Sequence, residues 1–93
     1  MPTVVDGEHE WDDAKAASNL IKHGVTFEEA KTVFTDDRAL YLVDPADAER
    51  FIVIGTSVRG RPLFVVHVER GERDRIISAR PASGEEVAAY EGR

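Results

Sequence analysis

The sequence predicts an α+β domain with two N-terminal helices, an antiparallel meander of about four strands and a short C-terminal helix. Three observations support this prediction. Capping signals and apolar residues at helical spacing occur over residues 12–34, strand-like apolar runs fill much of residues 39–80, and Ser83 with Glu86 repeats the capping-box spacing near the end. With 93 residues, of which 42% are hydrophobic, the whole chain has the size and apolar content of one small folded domain.

The first helix is predicted from its two ends. Asp12 is a typical N-cap, and the run AKAASNLIKH that follows stops at Gly24. Its inward face is expected to consist of the apolar residues at helical spacing, which are Ala14, Ala17, Leu20 and Ile21. The first eight residues are expected to form a loose tail, so that the folded part covers residues 9–91. Residues 9–11 are interpreted as a short strand or as a segment leading into the helix, with Trp11 in the core.

A second helix is predicted directly after the first. Thr26 and Glu29 have the spacing of a capping box, and the run FEEAKTVF begins immediately after Thr26. The side chains expected to face inward are its apolar residues at helical spacing, which are Phe27, Ala30, Val33 and Phe34. With only a short turn between them, the two helices are expected to form an αα-hairpin.

Four strand-like runs rich in β-branched or aromatic residues follow, and they cover residues 39–43, 51–58, 61–69 and 75–80. A two-residue turn at 59–60 and a four-residue turn at 71–74 are expected to join the last three runs. The final run, EEVAAYE, is predicted to form the short terminal helix.

Alternation with a period of two sorts the side chains of the predicted meander onto two faces. With the turn lengths given above, Ile52 and Ser78 lie opposite His67 on the neighbouring strands. The face expected to pack under the helices is wholly apolar and consists of Phe51, Val53, Gly55, Phe64, Val66, Val68, Ile77 and Ala79. The other face carries hydroxyl, imidazole and guanidinium groups, and it places His67 and Arg80 on adjacent strands. This second face is therefore the candidate site.

Arg80 and His67 have the chemistry needed to act on a phosphate. Arg80 could neutralise a phosphate or a developing negative charge, and His67 could act as a general acid or base. Each residue also has a structural interpretation, because a lone strand histidine is often packed within the fold and Arg80 could pair with a carboxylate such as Glu69. Both interpretations stay open on these residues alone.

The charge distribution favours an RNA-binding surface, although the net charge is −6. Residues 1–50 carry five basic and twelve acidic groups, whereas residues 51–80 carry six arginines against three acidic groups. Arginine interleaved with apolar residues over Arg59–Arg80 is typical of a surface that binds phosphates, with solvated surface arginines as the alternative. There is no cysteine, the three histidines lack metal-ligand spacing, and no apolar run reaches about 20 residues. The N-terminus lacks a signal-peptide pattern, so a cytoplasmic location is expected.

The segments EWDDAKAASNLIKHGVTFEEAKTVF, FIVIGTSVRGRPLFVVHVER, RIISARPAS and AYE, in this order, resemble the BrnT toxin family from about residue 10 to residue 91. The resemblance implies a RelE-like fold and a type II toxin that cleaves RNA without a metal or other cofactor and halts translation. It also implies a BrnA-like antitoxin partner with a ribbon-helix-helix part, assembly as a heterotetramer, and contact with operator DNA only through that antitoxin. No membrane partner is implied.

The resemblance also carries over, by position, the residues Trp11, Asp12, Lys15, Asn19, Lys22, His23, Gly24, Arg61, His67, Arg70, Ser78 and Arg80. His67 and Arg80 are expected to be catalytic, and the residues expected to contact RNA are Arg61, Arg70, Lys22, Lys15, His23 and Ser78. Tyr90 is a possible further member. One departure from the family pattern lies at 81–86, where relatives commonly continue with a basic run and this chain is acidic. Two functions therefore remain open: a ribonuclease toxin, or a non-catalytic or attenuated relative that binds the antitoxin as a co-repressor module.

Overall fold

A computed structural model describes residues 2–92 as a six-stranded mixed sheet with three helices. The strands are Thr3–Asp6 (β1), His9–Asp12 (β2), Leu40–Val43 (β3), Phe51–Thr56 (β4), Pro62–Arg70 (β5) and Arg73–Pro81 (β6). The helices are Asp13–His23 (α1), Phe27–Lys31 (α2) and Gly84–Glu91 (α3). The strand order is β1-β2-β6-β5-β4-β3, and only β2 and β6 run parallel. The α+β class is confirmed, but the sheet is larger than the predicted four-stranded antiparallel meander.

The two additional strands come from the N-terminus. β1 pairs with β2 in an antiparallel hairpin whose turn contains Gly7 at a φ of 62°. β2 then lies parallel to β6, with His9 opposite Asp74. The prediction of a loose tail is therefore wrong for Thr3–Asp6, because these residues gain a ladder partner in β2; Met1 lies outside the described residues. The strand at residues 9–11 is confirmed.

The helix ends follow the capping signals of the sequence. The Asp12 carboxylate accepts a hydrogen bond from the backbone N–H of Lys15, and Gly24 closes α1 at a φ of 70°. The hydroxyl of Thr26 likewise accepts from the N–H of Glu29. Beyond α2 the chain tightens into a 3-10 turn at Thr32–Thr35, so the predicted second helix is α-helical only in its first part. No helix within residues 2–92 is long and apolar enough to cross a membrane.

The core lies between the first two helices and one face of the sheet. Its buried members are Trp11, Val25, Phe27, Ala30, Val33, Ala39, Val53, Leu63, Val65, Ile76 and Ala79. The inward face predicted for the second helix is confirmed, with Phe34 packed at the core margin. The inward face predicted for α1 is wrong, since Ile21 is 88% exposed and Leu20 is also exposed. Its buried residue is Asn19.

Asn19 joins α1 to the edge of β6. Its Nδ2 donates to the carbonyl oxygens of Ala79 at 2.8 Å and Val25 at 3.0 Å, and its Oδ1 accepts from the N–H of Ala79 at 3.1 Å. β2 pairs with β6 only at Asp74 and Arg75, so it offers no ladder partner at Ala79. The buried amide supplies that partner, which is why a polar residue faces the core of this helix.

The register between β4 and β5 differs from the prediction by one residue. Phe51 lies opposite His67 and Ile54 opposite Phe64, because a five-residue loop at 57–61 replaces the predicted two-residue turn. The loop is closed by the N–H of Ser57, which donates to the carbonyl oxygen of Arg61 at 2.9 Å. A one-residue change of register transfers every side chain of a strand to the other face.

The β5–β6 hairpin differs as well. Its turn is the two-residue pair Gly71–Glu72, not the four-residue turn predicted at 71–74. Between the pairs His67–Ile76 and Val66–Ser78, β6 contains one extra residue, Ile77, and this β-bulge shifts the register. Because of the bulge, Ile76 and Ala79 are both buried in the core although three positions separate them.

We expect Asn19→Ala to lower the free energy of unfolding by about 2–4 kcal/mol, because it leaves three buried backbone groups without partners. Urea denaturation followed by circular dichroism measures this. Ser18→Ala, at the exposed position next to Asn19 on the same helix, is the control and should change stability by no more than about 0.5 kcal/mol. Equal stability of the two variants would contradict the role given to the amide.

Candidate functional site

His67 and Arg80 lie on opposite faces of the sheet. His67 is opposite Phe51 on the face covered by α1 and α2, whereas Arg80 is opposite Phe64 on the face next to α3. The prediction that the two side chains share one open face is therefore wrong. The physical reason is the β-bulge at Ile77, because one extra residue in β6 moves every later side chain of that strand, including Arg80, to the other face relative to β5. The five-residue loop before β5 has a separate effect, which is to turn His67 toward the helix-covered face.

His67 is a buried residue of the core margin. His67 is only 5% exposed to solvent, and neither nitrogen of its ring has a hydrogen-bond partner within residues 2–92. The ring packs between Phe34 and Phe51, with centroid distances of 4.9 and 5.9 Å. Nδ1 is 3.5 Å from Oδ1 of Asp74, which is long for a hydrogen bond. Burial lowers the pKa of His67, and the neighbouring carboxylate of Asp74 only partly offsets this.

Arg80 is held in place by an acidic partner and an aromatic ring. Its Nη1 and Nη2 donate to the two carboxylate oxygens of Glu86, each at 2.7 Å, and its Cζ lies 4.1 Å from the centroid of the Phe64 ring. Nη1 also donates to the carbonyl oxygen of Pro81. The carboxylate raises the pKa of Arg80, and the guanidinium lowers that of Glu86. Within the described residues, Nε and the second hydrogen of Nη2 have no acceptor, so one edge of the guanidinium remains available.

A surface cleft of about 200 Å³ lies between α1 and β6. It brings together four of the residues predicted to contact RNA, and its lining consists of Lys15, Ser18, Asn19, Lys22, His23, Ile77 and Ser78. Neither lysine forms an ion pair within residues 2–92. Lys15, Ser18 and Lys22 have helical spacing, so they project from the same side of α1 as the buried Asn19. Ser18 was missed by the sequence prediction, although this polar spacing could have revealed it.

Arg61, another predicted RNA contact, is instead engaged inside the fold. Its Nε and Nη2 donate to the two carboxylate oxygens of Glu29 at 2.8 and 2.7 Å, and Nη2 also donates to the carbonyl oxygen of Gly24. Glu29 is buried, and Ser57 gives it a further hydrogen bond. The Arg61 bond is the main cause that lowers the pKa of Glu29. This arginine therefore stabilises the junction of α2 with the loop at 57–61.

The remaining two predicted site residues lie away from the cleft. Arg70 is exposed at the β5–β6 turn, opposite Arg73. Tyr90 of α3 donates to Oδ2 of Asp36 at 2.5 Å and lies 3.1 Å from Oγ1 of Thr56. The pKa of Asp36 is lowered first by the N–H of Thr56 and then by Tyr90. Tyr90 therefore fastens the terminal helix to the sheet.

Comparison with known proteins agrees with this arrangement of helices and strands. The family model described as "Ribonuclease toxin, BrnT, of type II toxin-antitoxin system" matches residues 11–86. The chain belongs to the BrnT family. It is also similar to the Brucella abortus ribonuclease toxin BrnT, whose 1.1 Å crystal structure it matches at 28% identity and a TM-score of 0.64, over 78% of this chain and 92% of that one. None of the curated proteins compared with this BrnT-family chain matches it. Membership of a type II toxin–antitoxin family implies an antitoxin partner.

We expect His67 to make the stability of this BrnT-family protein decrease as the pH falls below about 6.5, the ordinary pKa of histidine. Burial lowers the folded-state pKa of His67, so the unfolded chain takes up the proton first and gains stability relative to the fold. His67→Phe should keep the packing of the ring and remove this decrease in stability at low pH. Urea unfolding at pH 7.5 and 5.5 compares the two proteins. An equal loss of stability in both would show that His67 does not carry it.

Proposed function

We propose that this chain is a metal-independent, RelE-like endoribonuclease that cleaves RNA in the cytoplasm and thereby inhibits translation. In this proposal a BrnA-like ribbon-helix-helix antitoxin neutralises it in a heterotetramer and supplies all contacts with operator DNA. Family membership supports the toxin and ribonuclease part. The further details rest on the resemblance and on the chemistry of the cleft.

The observation that carries the proposal is the grouping of Lys15, Lys22, His23 and Ser78 in one cleft, next to Arg80 on the same strand. Ser78 and Arg80 are two residues apart on β6, which corresponds to about 7 Å along a strand. Unpaired lysines attract phosphate as point charges, and a guanidinium edge can bind two phosphate oxygens. The cleft and the open edge of Arg80 therefore fit consecutive phosphates of a single RNA strand.

Each group has a distinct role in the proposed reaction. The imidazole of His23 accepts the proton of a ribose 2′-OH, and the 2′-oxygen then attacks the adjacent phosphorus. The 5′-oxygen of the next nucleotide leaves with a proton from water, which gives a 2′,3′-cyclic phosphate and a 5′-hydroxyl. Arg80 stabilises the charge that develops on the phosphate, and the two lysines hold the strand. The mechanism requires the 2′-OH and so excludes DNA. His67 is assigned no contact with RNA, because its ring is enclosed between Phe34 and Phe51.

We expect Arg80→Ala to lower the RNA cleavage rate by about 100-fold, as for the loss of one group that stabilises transition-state charge. His23→Ala should have a comparable effect, whereas His67→Phe and the distant Arg38→Ala should cleave at the wild-type rate. Gel assays with a single-stranded RNA, with and without a chelator, measure these rates. Full activity of Arg80→Ala and His23→Ala would contradict the site. Loss of activity in the chelator would contradict metal independence.

The second candidate function is an attenuated relative that binds the antitoxin and acts as a co-repressor. The bond between Arg80 and Glu86 favours it, because a carboxylate at 2.7 Å neutralises the guanidinium that would attract phosphate. Glu86 belongs to the acidic segment in which this chain departs from the family pattern. The two candidates differ in one measurement: the toxin cleaves RNA and arrests growth when produced alone, and the co-repressor does neither.

We expect Glu86→Gln to tighten RNA binding roughly three- to tenfold, because removing one adjacent negative charge restores the attraction of Arg80 for phosphate. The amide keeps an oxygen that can accept from Arg80 and from the N–H of Ser83. Glu85→Gln is the matched control, since it changes the net charge equally on an exposed position of the same helix turn. Fluorescence anisotropy with a short RNA at low salt measures both. Equal affinities of the two variants would show that Glu86 does not mask Arg80.

A further inference from the structure

The outer edge of β3 is a free sheet edge. β3 is the last strand of the sheet and pairs only with β4 on its inner side. Within residues 2–92 no element pairs with the other side of Leu40–Val43. Alternate residues of an edge strand direct their N–H and C=O groups away from the sheet, so this strand presents a template for one more strand.

This edge also has unusual side chains for an exposed position. Tyr41, Leu42 and Val43 are 55%, 41% and 56% exposed, and the strand contains no charged residue. Tyr41 and Val43 point to one face and Leu42 to the other, so the apolar surface wraps around the edge. Sheet edges usually carry charged residues, proline or a covering element that prevents pairing with other chains. Apart from its short length of four residues, β3 has none of these protections within its own sequence, so its edge is open to pairing with another chain.

The flanks of β3 define the charge of the occupant. Within residues 36–50 the acidic side chains outnumber the two arginines, and they are Asp36, Asp37, Asp44, Asp47 and Glu49. In an antiparallel pair with a second copy of this chain, the acidic segment before β3 would meet the acidic segment after the other β3. Such like charges oppose self-pairing and favour a cationic partner.

We propose that the outer edge of β3 binds an extended segment of the antitoxin as a seventh strand. The segment has apolar residues at alternate positions and lysine or arginine near both ends, and its main chain completes the ladder of β3. The inference rests on the proposed function in one respect, namely that an antitoxin is the partner. It adds the place and the chemistry of the contact.

The proposed strand lies away from the RNA cleft. Two strands, β4 and β5, separate β3 from β6, which corresponds to about 14 Å across the sheet at about 4.8 Å for each strand. A segment bound at β3 therefore anchors the antitoxin and does not itself cover the cleft. Loss of the anchor should weaken neutralisation while the cleavage of RNA by the free toxin stays unchanged.

Hydrogen–deuterium exchange tests the main-chain part of the inference. The probe is the ribbon-helix-helix antitoxin of the proposed function, to be sought in the reading frames beside the gene of this chain, added to the 93-residue chain. We expect the amides of residues 40–43 to exchange at least tenfold more slowly in the complex. A complex in which these amides exchange at the rate of the free chain would overturn the β3 contact and leave the toxin–antitoxin pairing intact. If no complex forms, the partner itself is wrong, and the inference is overturned with it.

A pair of identical substitutions tests the side-chain part. Val43→Lys should weaken the affinity for the antitoxin tenfold or more, because it places a positive charge against the cationic segment and removes an apolar contact. Val58→Lys is the matched control at a position that is 78% exposed but lies in the loop before β5, and its affinity should equal that of the wild type. Both variants should cleave RNA normally. Equal affinities of the two variants would overturn the inference.

Sedimentation of the isolated chain tests the competing occupant. We expect a monomer at micromolar concentration for the wild type and for Val43→Lys. A wild-type dimer that Val43→Lys converts to a monomer would identify a second copy as the occupant of this edge and overturn the assignment to the antitoxin.

Discussion

The bond between the Asn19 amide and the backbone of Ala79 is the constraint on which both the fold and the candidate site depend. β6 has a strand neighbour on both sides only at its start, and beyond Arg75 its outer edge must be satisfied by another group. The Asn19 amide forms these hydrogen bonds at Ala79 and thereby holds α1 against the strand. Lys15 and Lys22 are four residues before and three residues after Asn19, so the same anchor that orients the helix turns both lysines toward the cleft.

The local features of this chain could be predicted from its sequence because their signals are local. Asp12, Thr26 and Ser83 cap the helices as expected, since each hydroxyl or carboxylate needs only a backbone N–H two or three residues away. The apolar face of α2 was also predictable, because a single buried stripe faces a single core. The resemblance named four residues of the cleft, which are Lys15, Lys22, His23 and Ser78, but it also named Arg61 and Arg70, which lie elsewhere, and Ser18 was missed. Their common position along α1 and β6 was not predicted.

The long-range features were not predictable by the same means. The phase of β5 and β6 depends on the length of the loop at 57–61 and on the extra residue Ile77, and neither changes the alternation of apolar residues within a strand. The predicted pairing of His67 with Arg80 was wrong because of Ile77 alone, since the length of the loop at 57–61 does not change how β6 pairs with β5. The predicted inward face of α1 was wrong for a different reason. The buried amide of Asn19 takes the place of an apolar stripe, and periodicity cannot recognise a polar side chain that forms hydrogen bonds with a distant part of the backbone.

The parallel pairing of β2 with β6 has a consequence for how the protein is made. The core needs Trp11 together with Ile76, and the cleft needs Lys15 and Lys22 together with Ser78, so both join β2 and α1 to a strand that is synthesised much later. Closing so long a loop is entropically costly and slow compared with forming a hairpin. A partly synthesised chain therefore has no assembled cleft, and β1, β2 and α1 must wait for their place in the sheet until β6 has left the ribosome.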